Sequence, residues 1–268
     1  MRNEGENRLS FAYGLTYGIR FSYIHIQGRG ERRVERRSEV WYGIWQEKYE
    51  TEKPRETESL IHSRDGFDSL SAGQWEKLAG YYLEKLSVTD HDDVVEIGCG
   101  AGAFLEHISR FRSLSGVDYS AHAIRLIRER FDGVFAVAEA NSLPFKDCSF
   151  DLAISWSVFF YFDSLDYASS ALEEMRRVTR DEGRIFVGDL NDLEKKELAV
   201  RLRSEGRSAR EKNYVSGEKV DQLYFPKDFF RSWASRHGME ITFFDEDTED
   251  LSFYPNSRYR YSLIMKRS

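Results

Sequence analysis

The sequence predicts an α/β domain in which a parallel β-sheet is covered by helices on both faces. Two observations indicate this fold class. Apolar strand-length segments alternate with helical segments from about residue 92 onwards, and a glycine-rich turn follows the first of these strands. The chain has 268 residues, 41% of them hydrophobic, which suffices for one large domain with an appendage. In such sheets, ligands bind at the carboxyl ends of the strands.

The N-terminal part of the chain divides into two regions. Residues 1–39 mix glycine, arginine and aromatic residues without helical periodicity and are predicted to form a poorly ordered extension. Residues 40–90 are predicted to form a helical cap. There, aromatic residues at helical spacing indicate a helix that Pro54 ends, and Ser71 with Gln74 forms the capping box of a second helix.

Residues 91–268 are predicted to form the main domain, with a polar, partly helical insertion at 190–225. The predicted strands are DDVVEIG, SLSGVDYS, VFAVAEA, FDLAISWS, GRIFVGD, MEITFFDE and RYRYSLIMKR. The predicted helices are GAFLEHISRF, two segments capped by Ser120 and Ser164, and one that Pro226 opens. The insertion and the N-terminal helices are expected to close a pocket at the carboxyl ends of the strands, with Tyr224 and Phe225 in its lining.

Composition excludes several classes of protein. No apolar run approaches the ~20 residues needed to cross a bilayer, and the N-terminus lacks the features of a secretory signal, so a cytoplasmic protein without a membrane partner is expected. Two cysteines, Cys99 and Cys148, support neither a disulfide framework nor a zinc site, and no metal is predicted. The net charge is -7, and the arginines in residues 29–37 alternate with glutamates, so nucleic acid is not a predicted partner.

The stretch VVEIGCGAGAF, residues 94–104, is the motif that carries most information. A strand that leads into a glycine-rich turn and then a helix places bare backbone beside a ligand. Two ligand classes use this arrangement. A dinucleotide requires G-x-G-x-x-G/A with an acid about 20 residues on, which Gly98, Gly100, Ala103 and Asp118 satisfy. The other ligand is the nucleoside of S-adenosylmethionine.

Three acids in order along the chain favour S-adenosylmethionine. Glu96 precedes the glycines, where its carboxylate can face the amino group of a methionine moiety but would repel a pyrophosphate. Asp118, at the end of the second strand, can accept hydrogen bonds from both ribose hydroxyls. Glu139, after the third strand, can accept a hydrogen bond from the adenine amino group. The dinucleotide remains the alternative.

With these motifs in order, residues 92–188 resemble the class I S-adenosylmethionine-dependent methyltransferases. The matching segments are EIGCGAG, VDYS, EANSLPF and FDLAISWSVFFYF. The resemblance implies a Rossmann-like, seven-stranded, mostly parallel sheet with an antiparallel last strand, S-adenosylmethionine as the cofactor and a small-molecule acceptor. The cofactor-binding residues that it implies are Glu96, Gly98, Cys99, Gly100, Gly102, Asp118, Tyr119, Glu139, Ala140, Asn141 and Ser155. Glu139 stands where the family more often has Asp.

A hydroxyl acceptor would require a base near its oxygen. Three candidates for this catalytic role are His62, before the second N-terminal helix, Tyr161, after the fourth strand, and Asp189, at the end of the fifth. The resemblance also places Ser155, with Trp156 and Ser157, beside the methyl group that is transferred.

Two further hypotheses stay open beside methyl transfer to a small molecule. One is methylation of protein or RNA, with the basic residues 29–37 as a docking tail. The other is a non-catalytic module that binds S-adenosylmethionine. The segment SWSV stands where methyltransferases of base amino groups carry an Asn-Pro-Pro-Tyr type of motif, which disfavours nucleic acid as the acceptor.

Overall fold

A computed structural model describes residues 37–51, 61–67, 69–108, 110–205 and 222–267. Most of the extension predicted at 1–39 lies outside the described residues, as does 206–221 of the predicted insertion. The helices of the described part are α1 (Arg37–Thr51), α2 (Ile61–Arg64), α3 (Ala72–Leu86), α4 (Ala121–Arg128), α5 (Leu165–Val178), α6 (Lys196–Glu205) and α7 (Lys227–Arg236). Its strands are β1 (Asp93–Ile97), β2 (Ser113–Asp118), β3 (Val134–Val137), β4 (Phe150–Trp156), β5 (Thr179–Asn191), β6 (Met239–Asp245) and β7 (Arg260–Arg267).

The seven strands form one mixed sheet in the order β3-β2-β1-β4-β5-β7-β6. Strands β1 to β5 pair in parallel, and β7 runs antiparallel to both of its neighbours, β5 and β6. Strands β2 and β3 are added on one side of β1, whereas β4 and β5 are added on the other side. Such a switch in strand order opens a crevice at the carboxyl ends of the strands. The predicted Rossmann-like sheet with an antiparallel last strand is confirmed.

Hydrophobic cores cover both faces of the sheet. Neighbouring residues of a strand point to opposite faces, so Val94 belongs to the core under α3 and α4, whereas Val95 belongs to the core under α5 and α7. Trp75 and Ile124 contribute to the first core, and Trp233 contributes to the second. The prediction of helices on both faces is therefore confirmed.

Most of the predicted helix starts are confirmed. Ser71 caps α3 in a full capping box with Gln74, and the side chains of Ser120 and Ser164 cap α4 and α5. Pro226 occupies the N-cap position of α7. None of the described helices is long and apolar enough to cross a bilayer.

The predicted helix GAFLEHISRF is wrong. After the glycine turn, the chain forms only a three-residue 3₁₀-helix, Leu105–His107. Gly102 has a φ of 93°, which no α-helical residue adopts, and Ile108 is already extended. The segment is therefore a short connection to β2.

Candidate functional site

One pocket lies at the carboxyl ends of β1 to β4 and encloses about 1020 Å³ of space, including its open mouth. The glycine turn forms one wall, and the segments that follow β2, β3 and β4 form others. Helix α1 and the segment 65–67 also contribute to the lining. The pocket therefore lies where ligands bind in open α/β sheets.

The glycine turn has no room for side chains. Gly100 has a φ of 51°, and a Cβ atom there would lie 2.6 Å from the Oδ1 atom of Asp65. Gly98, Cys99 and Gly100 line the pocket. Gly102 does not, because it faces Phe131 on the other side of the turn. Its role is therefore to shape the turn.

Every backbone N–H group from residue 98 to residue 103 already has an acceptor within the protein. Two donate to the Val117 carbonyl oxygen at the end of β2, and one donates to Cys99 within the turn. The other three donate to carboxylates: Gly100 to Asp118 at 3.0 Å, and Ala101 and Ala103 to Asp65 at 2.9 and 3.0 Å. A turn that binds pyrophosphate offers such N–H groups to the ligand. Here they are occupied by acids.

Glu96 is a buried acid that lacks a partner for one of its oxygens. Its side chain lines the pocket, the residue is 2% exposed, and its Oε2 atom has no hydrogen-bond partner among the described residues. Burial raises the pKa of this carboxyl well above its usual value, and the negative charges of Asp65 and Asp118 raise it further. A buried, unpartnered carboxylate oxygen is satisfied by a positively charged or hydrogen-bonding ligand. The ammonium group of a methionine moiety fits this requirement.

Asp118 is held at the end of β2 by two backbone N–H groups. Its Oδ1 atom accepts from Ser120 at 2.8 Å, and its Oδ2 atom accepts from Gly100 at 3.0 Å. Burial is the main reason that its pKa rises to about 7, although these hydrogen bonds oppose the shift. The side chain lines the pocket with its neighbour Tyr119, so both predicted ribose-binding residues are in place beside the cavity.

Glu139 and Ala140 line the same pocket after β3, as the sequence predicts for an adenine site. The Tyr167 hydroxyl donates to the Oε2 atom of Glu139 at 2.7 Å and restrains this exposed carboxylate. Asn141 is exposed and does not line the pocket, so the structure does not support it as a ligand-binding residue.

Ser155 is also absent from the lining. It is fully buried in β4, and its hydroxyl donates to the Ile97 carbonyl oxygen at 3.0 Å, where it ties β4 to the start of the glycine turn. Its neighbours Trp156 and Ser157 do line the pocket. The predicted contact with a ligand therefore shifts to those two residues.

Of the three candidate bases, His62 is not supported by the structure. It lies outside the lining, is 3% exposed, and its Nε2 atom lies 3.0 Å from the Leu70 carbonyl oxygen, which accepts its hydrogen. Its ring stacks on Trp75 with an interplanar angle of 16°. These contacts make His62 a packing residue of the N-terminal helices.

Asp189 is not supported as a base either. It is fully buried below the pocket, where it pairs with Arg260 and accepts a hydrogen bond from Tyr254 at 3.1 Å. It also accepts the hydroxyl hydrogen of the pocket residue Ser157 at 2.6 Å. A carboxylate that is saturated in this way supports its neighbours and has no access to an acceptor.

Tyr161 is the candidate base that lines the pocket. It packs edge-on against Trp41 and Trp45 of α1, with ring centroids 4.6 and 5.8 Å away. Burial raises the pKa of its phenol, which keeps it protonated at neutral pH. Tyr224 and Phe225, by contrast, lie in hydrophobic clusters outside the pocket. The aromatic wall comes from α1 instead of the insertion.

The sequence predicts that the N-terminal helices close the pocket, but not which of their residues line it. Trp41, Trp45 and Tyr49 of α1 line it, and so does Asp65, three residues after the proposed base His62. The helical spacing of the aromatic residues predicts α1, but no local signal indicates which of its faces meets the glycine turn.

Comparisons with known proteins agree with this arrangement. A family profile described as a methyltransferase domain matches residues 95–187, which extend from β1 to β5. The chain is 29% identical over 171 residues to the malonyl-[acyl-carrier protein] O-methyltransferase of Geobacter sulfurreducens, with 61% of each chain covered. It is 30% identical over 121 residues to the probable tRNA methyltransferase 9B of Bos taurus, which covers 45% of this chain and 26% of the relative. The chain thus spans less than two thirds of the length of these curated relatives.

Solved structures share the fold. The phosphoethanolamine N-methyltransferase 1 of Haemonchus contortus superposes with a TM-score of 0.61 at 17% identity, over 87% of this chain and 49% of that one. The matching domain, the strand order and the acids at the glycine turn all agree with the predicted family and its cofactor. Residues 95–187 of this chain therefore match the methyltransferase-domain family, whose methyl donor is S-adenosylmethionine, and the sheet that contains them has the class I methyltransferase fold.

Proposed function

We propose that this protein transfers the methyl group of S-adenosylmethionine to a hydroxyl or an amine of a small molecule. The observation that carries the proposal is that α1 closes the cofactor pocket with its own aromatic side chains. Trp41 and Trp45 pack directly against Tyr161, and all three side chains line the pocket, so the space beside the predicted methyl position is lined by the chain itself. A pocket of this kind favours an acceptor of limited size.

The cofactor supplies a methyl group activated by its sulfonium, and the protein's contribution to an in-line displacement is chiefly to hold donor and acceptor at near-attack distance. Glu96 is proposed to bind the methionine ammonium, Asp118 the ribose hydroxyls and Glu139 the adenine amino group. Trp156 and Ser157 border the space where the acceptor would lie, and the hydrogen bond from Ser157 to Asp189 fixes that wall.

Tyr161 is proposed to orient the acceptor. An ordinary tyrosine phenol is already protonated at neutral pH, and burial raises the pKa of Tyr161 further, so it is suited to donate a hydrogen bond and unsuited to remove a proton. An amine acceptor that arrives unprotonated needs no such base. Tyr161→Phe is therefore expected to raise KM for the acceptor more than it lowers kcat.

Turnover tests the proposal. The full-length protein is incubated with S-adenosylmethionine and a panel of small amines, phenols and sugars, and products are followed by mass spectrometry for the mass of one added methyl group. A methylated product with matching release of S-adenosylhomocysteine supports the proposal. Tight binding of S-adenosylhomocysteine without turnover on any acceptor supports the non-catalytic module instead.

A second candidate is methylation of RNA, favoured by the similarity to probable tRNA methyltransferases over about 45% of this chain. Of the basic residues 29–37, proposed as a docking tail, all except Arg37 lie outside the described residues. Bulk tRNA in the same assay discriminates, with a variant that lacks residues 1–36. Methyl incorporation into tRNA that is lost in this variant would favour the RNA hypothesis.

A further inference from the structure

The glycine turn of this protein is filled by a carboxylate from a distant part of the chain. Asp65 follows α2, outside the sheet, yet its two carboxylate oxygens accept hydrogen bonds from the N–H groups of Ala101 and Ala103. Tyr49 of α1 donates its hydroxyl to the same carboxylate at 2.7 Å. Three donors thus hold Asp65 in one position over the turn.

This contact changes what the turn can bind. Free N–H groups at a strand-turn-helix junction attract anions such as phosphate or carboxylate. Here the described structure leaves no N–H group between residues 98 and 103 without an acceptor, and Asp65 takes two of them. The protein supplies its own anion, so the place where an anionic ligand would bind carries a negative charge.

A second, independent observation, the unpartnered oxygen of Glu96, indicates which kind of ligand binds near Asp65. Glu96 lines the same pocket, is 2% exposed and has an Oε2 atom without a partner. Asp65 and Glu96 both line this pocket, and the charge of Asp65 adds to burial in raising the pKa of Glu96. Two such groups beside one cavity, one of them unsatisfied, are compensated by a cation.

We propose that Asp65 determines the specificity of the site for the positively charged end of the cofactor, by converting the glycine turn from an anion-binding into a cation-binding element. This inference rests on the proposed cofactor site and adds a residue from the N-terminal region to it. Asp65 and Glu96 together select the methionine ammonium group, and the methionine carboxylate adds little to affinity because the N–H groups of the turn are taken.

Three nucleoside ligands separate these contributions. S-adenosylhomocysteine carries both the ammonium and the carboxylate, 5′-deoxy-5′-(3-aminopropylthio)adenosine carries the amine alone, and methylthioadenosine carries neither. Calorimetric titration of the full-length protein gives Kd for each. In Asp65→Asn, the first two ligands are expected to bind about tenfold more weakly, as for a lost charged hydrogen-bond partner, while methylthioadenosine changes less than about twofold.

Glu139→Gln is the matched control. It also removes one negative charge from the pocket, but at the proposed adenine end, so it should weaken all three ligands by the same factor. Unchanged binding of methylthioadenosine also shows that the pocket of the Asp65 variant is folded.

The inference is overturned if Asp65→Asn weakens all three ligands equally, or if Asp65→Ala binds S-adenosylhomocysteine more tightly than the wild type. The second result would mean that Asp65 competes with the methionine carboxylate for the turn. Failure of the wild type to bind S-adenosylhomocysteine at all would instead reject the cofactor site, and with it the proposed function.

Discussion

Glu96 and Asp189 are both buried acids near the carboxyl edge of the sheet, but their surroundings differ. Asp189 pairs with Arg260 and accepts hydrogen bonds from Ser157 and Tyr254. Glu96 has negative neighbours and an oxygen without a partner. Burial alone therefore does not distinguish a structural acid from a ligand-binding one. The missing partner does, provided that the side chain also lines a cavity.

Glu246 shows why both conditions are needed. Its Oε2 atom also lacks a partner, but the residue is fully buried away from the pocket, and its Oε1 atom accepts the hydroxyl hydrogen of Ser262 at 2.5 Å. Burial, followed by the charge of Asp189, raises the pKa of Glu246 to about 8, and burial raises the pKa of Glu96 as well. What separates the two acids is that only Glu96 lines the pocket.

The largest expected effect is a loss of stability when Asp189, the paired acid, is replaced. Asp189→Asn leaves the guanidinium of Arg260 buried without its counter-charge, since Arg260 is only 4% exposed. Loss of one partner of a buried ion pair costs about 3–5 kcal/mol in the free energy of unfolding. Urea denaturation of the two proteins measures the difference. A loss of less than about 1 kcal/mol would show that Asp189 is not the structural acid described here.

The corresponding acid-to-amide substitution at Glu96, the acid without a partner, should increase the stability of the fold. Glu96→Gln removes a carboxyl whose folded-state pKa is raised by burial, so the variant should be more stable than the wild type at pH 7. The raised pKa means that the advantage is absent at pH 4 and grows as the pH rises above the unfolded-state value near 4.5.

Binding should change in Glu96→Gln as well. The affinity for S-adenosylhomocysteine is expected to fall about tenfold through loss of a charged partner for the ammonium. Glu246→Gln is the control, because it replaces an unpartnered acid outside the pocket and should leave this affinity unchanged. An affinity loss as large in the control would contradict the distinction between the two sites.

The ordering of the acids along the chain explains how much of the site is predictable from sequence. Glu96, Asp118 and Glu139 follow consecutive parallel strands, and the carboxyl ends of such strands meet at one edge, so local pattern suffices to place them together. Asp65 and Trp41 reach the same pocket through packing of α1 and the segment after α2, which depends on contacts far apart in sequence. His62 shows the resulting error: the segment is correct, but the residue that contacts the turn is Asp65.

For the fold as well, some features could be predicted from the sequence and others could not. The seven strands of a mostly parallel sheet and the antiparallel direction of the last strand follow from the alternation of elements and the family resemblance, and both are confirmed. The helix expected after the glycine turn is not present: Gly102 has a φ of 93°, Ile108 is already extended, and only a three-residue 3₁₀-helix lies between them. The spacing of apolar residues gives no information about the backbone angles of a glycine.

A smaller effect concerns the ribose acid. The pKa of Asp118 is raised to about 7, so its carboxyl is mostly ionised at pH 8 and mostly neutral at pH 6. The ionised form accepts hydrogen bonds from both ribose hydroxyls, and the affinity for methylthioadenosine should therefore fall by up to about tenfold between pH 8 and pH 6. Asp118→Asn should bind more weakly and show a flat profile. A variant that keeps the wild-type slope would assign the titration to another group.

The smallest effect is expected for His62. Because it lies outside the pocket and its Nε2 atom contacts the Leu70 carbonyl oxygen, His62→Asn should cost about 1 kcal/mol of stability through the lost hydrogen bond. The pH profile of methyl transfer should keep its shape. A large loss of turnover with unchanged binding of S-adenosylhomocysteine in the variant would restore His62 as a base.

The central claim is that the glycine turn and its acids receive a positively charged nucleoside and exclude a pyrophosphate. Calorimetric titration of the wild-type protein with S-adenosylhomocysteine and, separately, with NAD tests it most directly. The structure predicts saturable one-site binding of S-adenosylhomocysteine and no measurable heat with NAD at the same concentrations. Binding of NAD without binding of S-adenosylhomocysteine would contradict the claim.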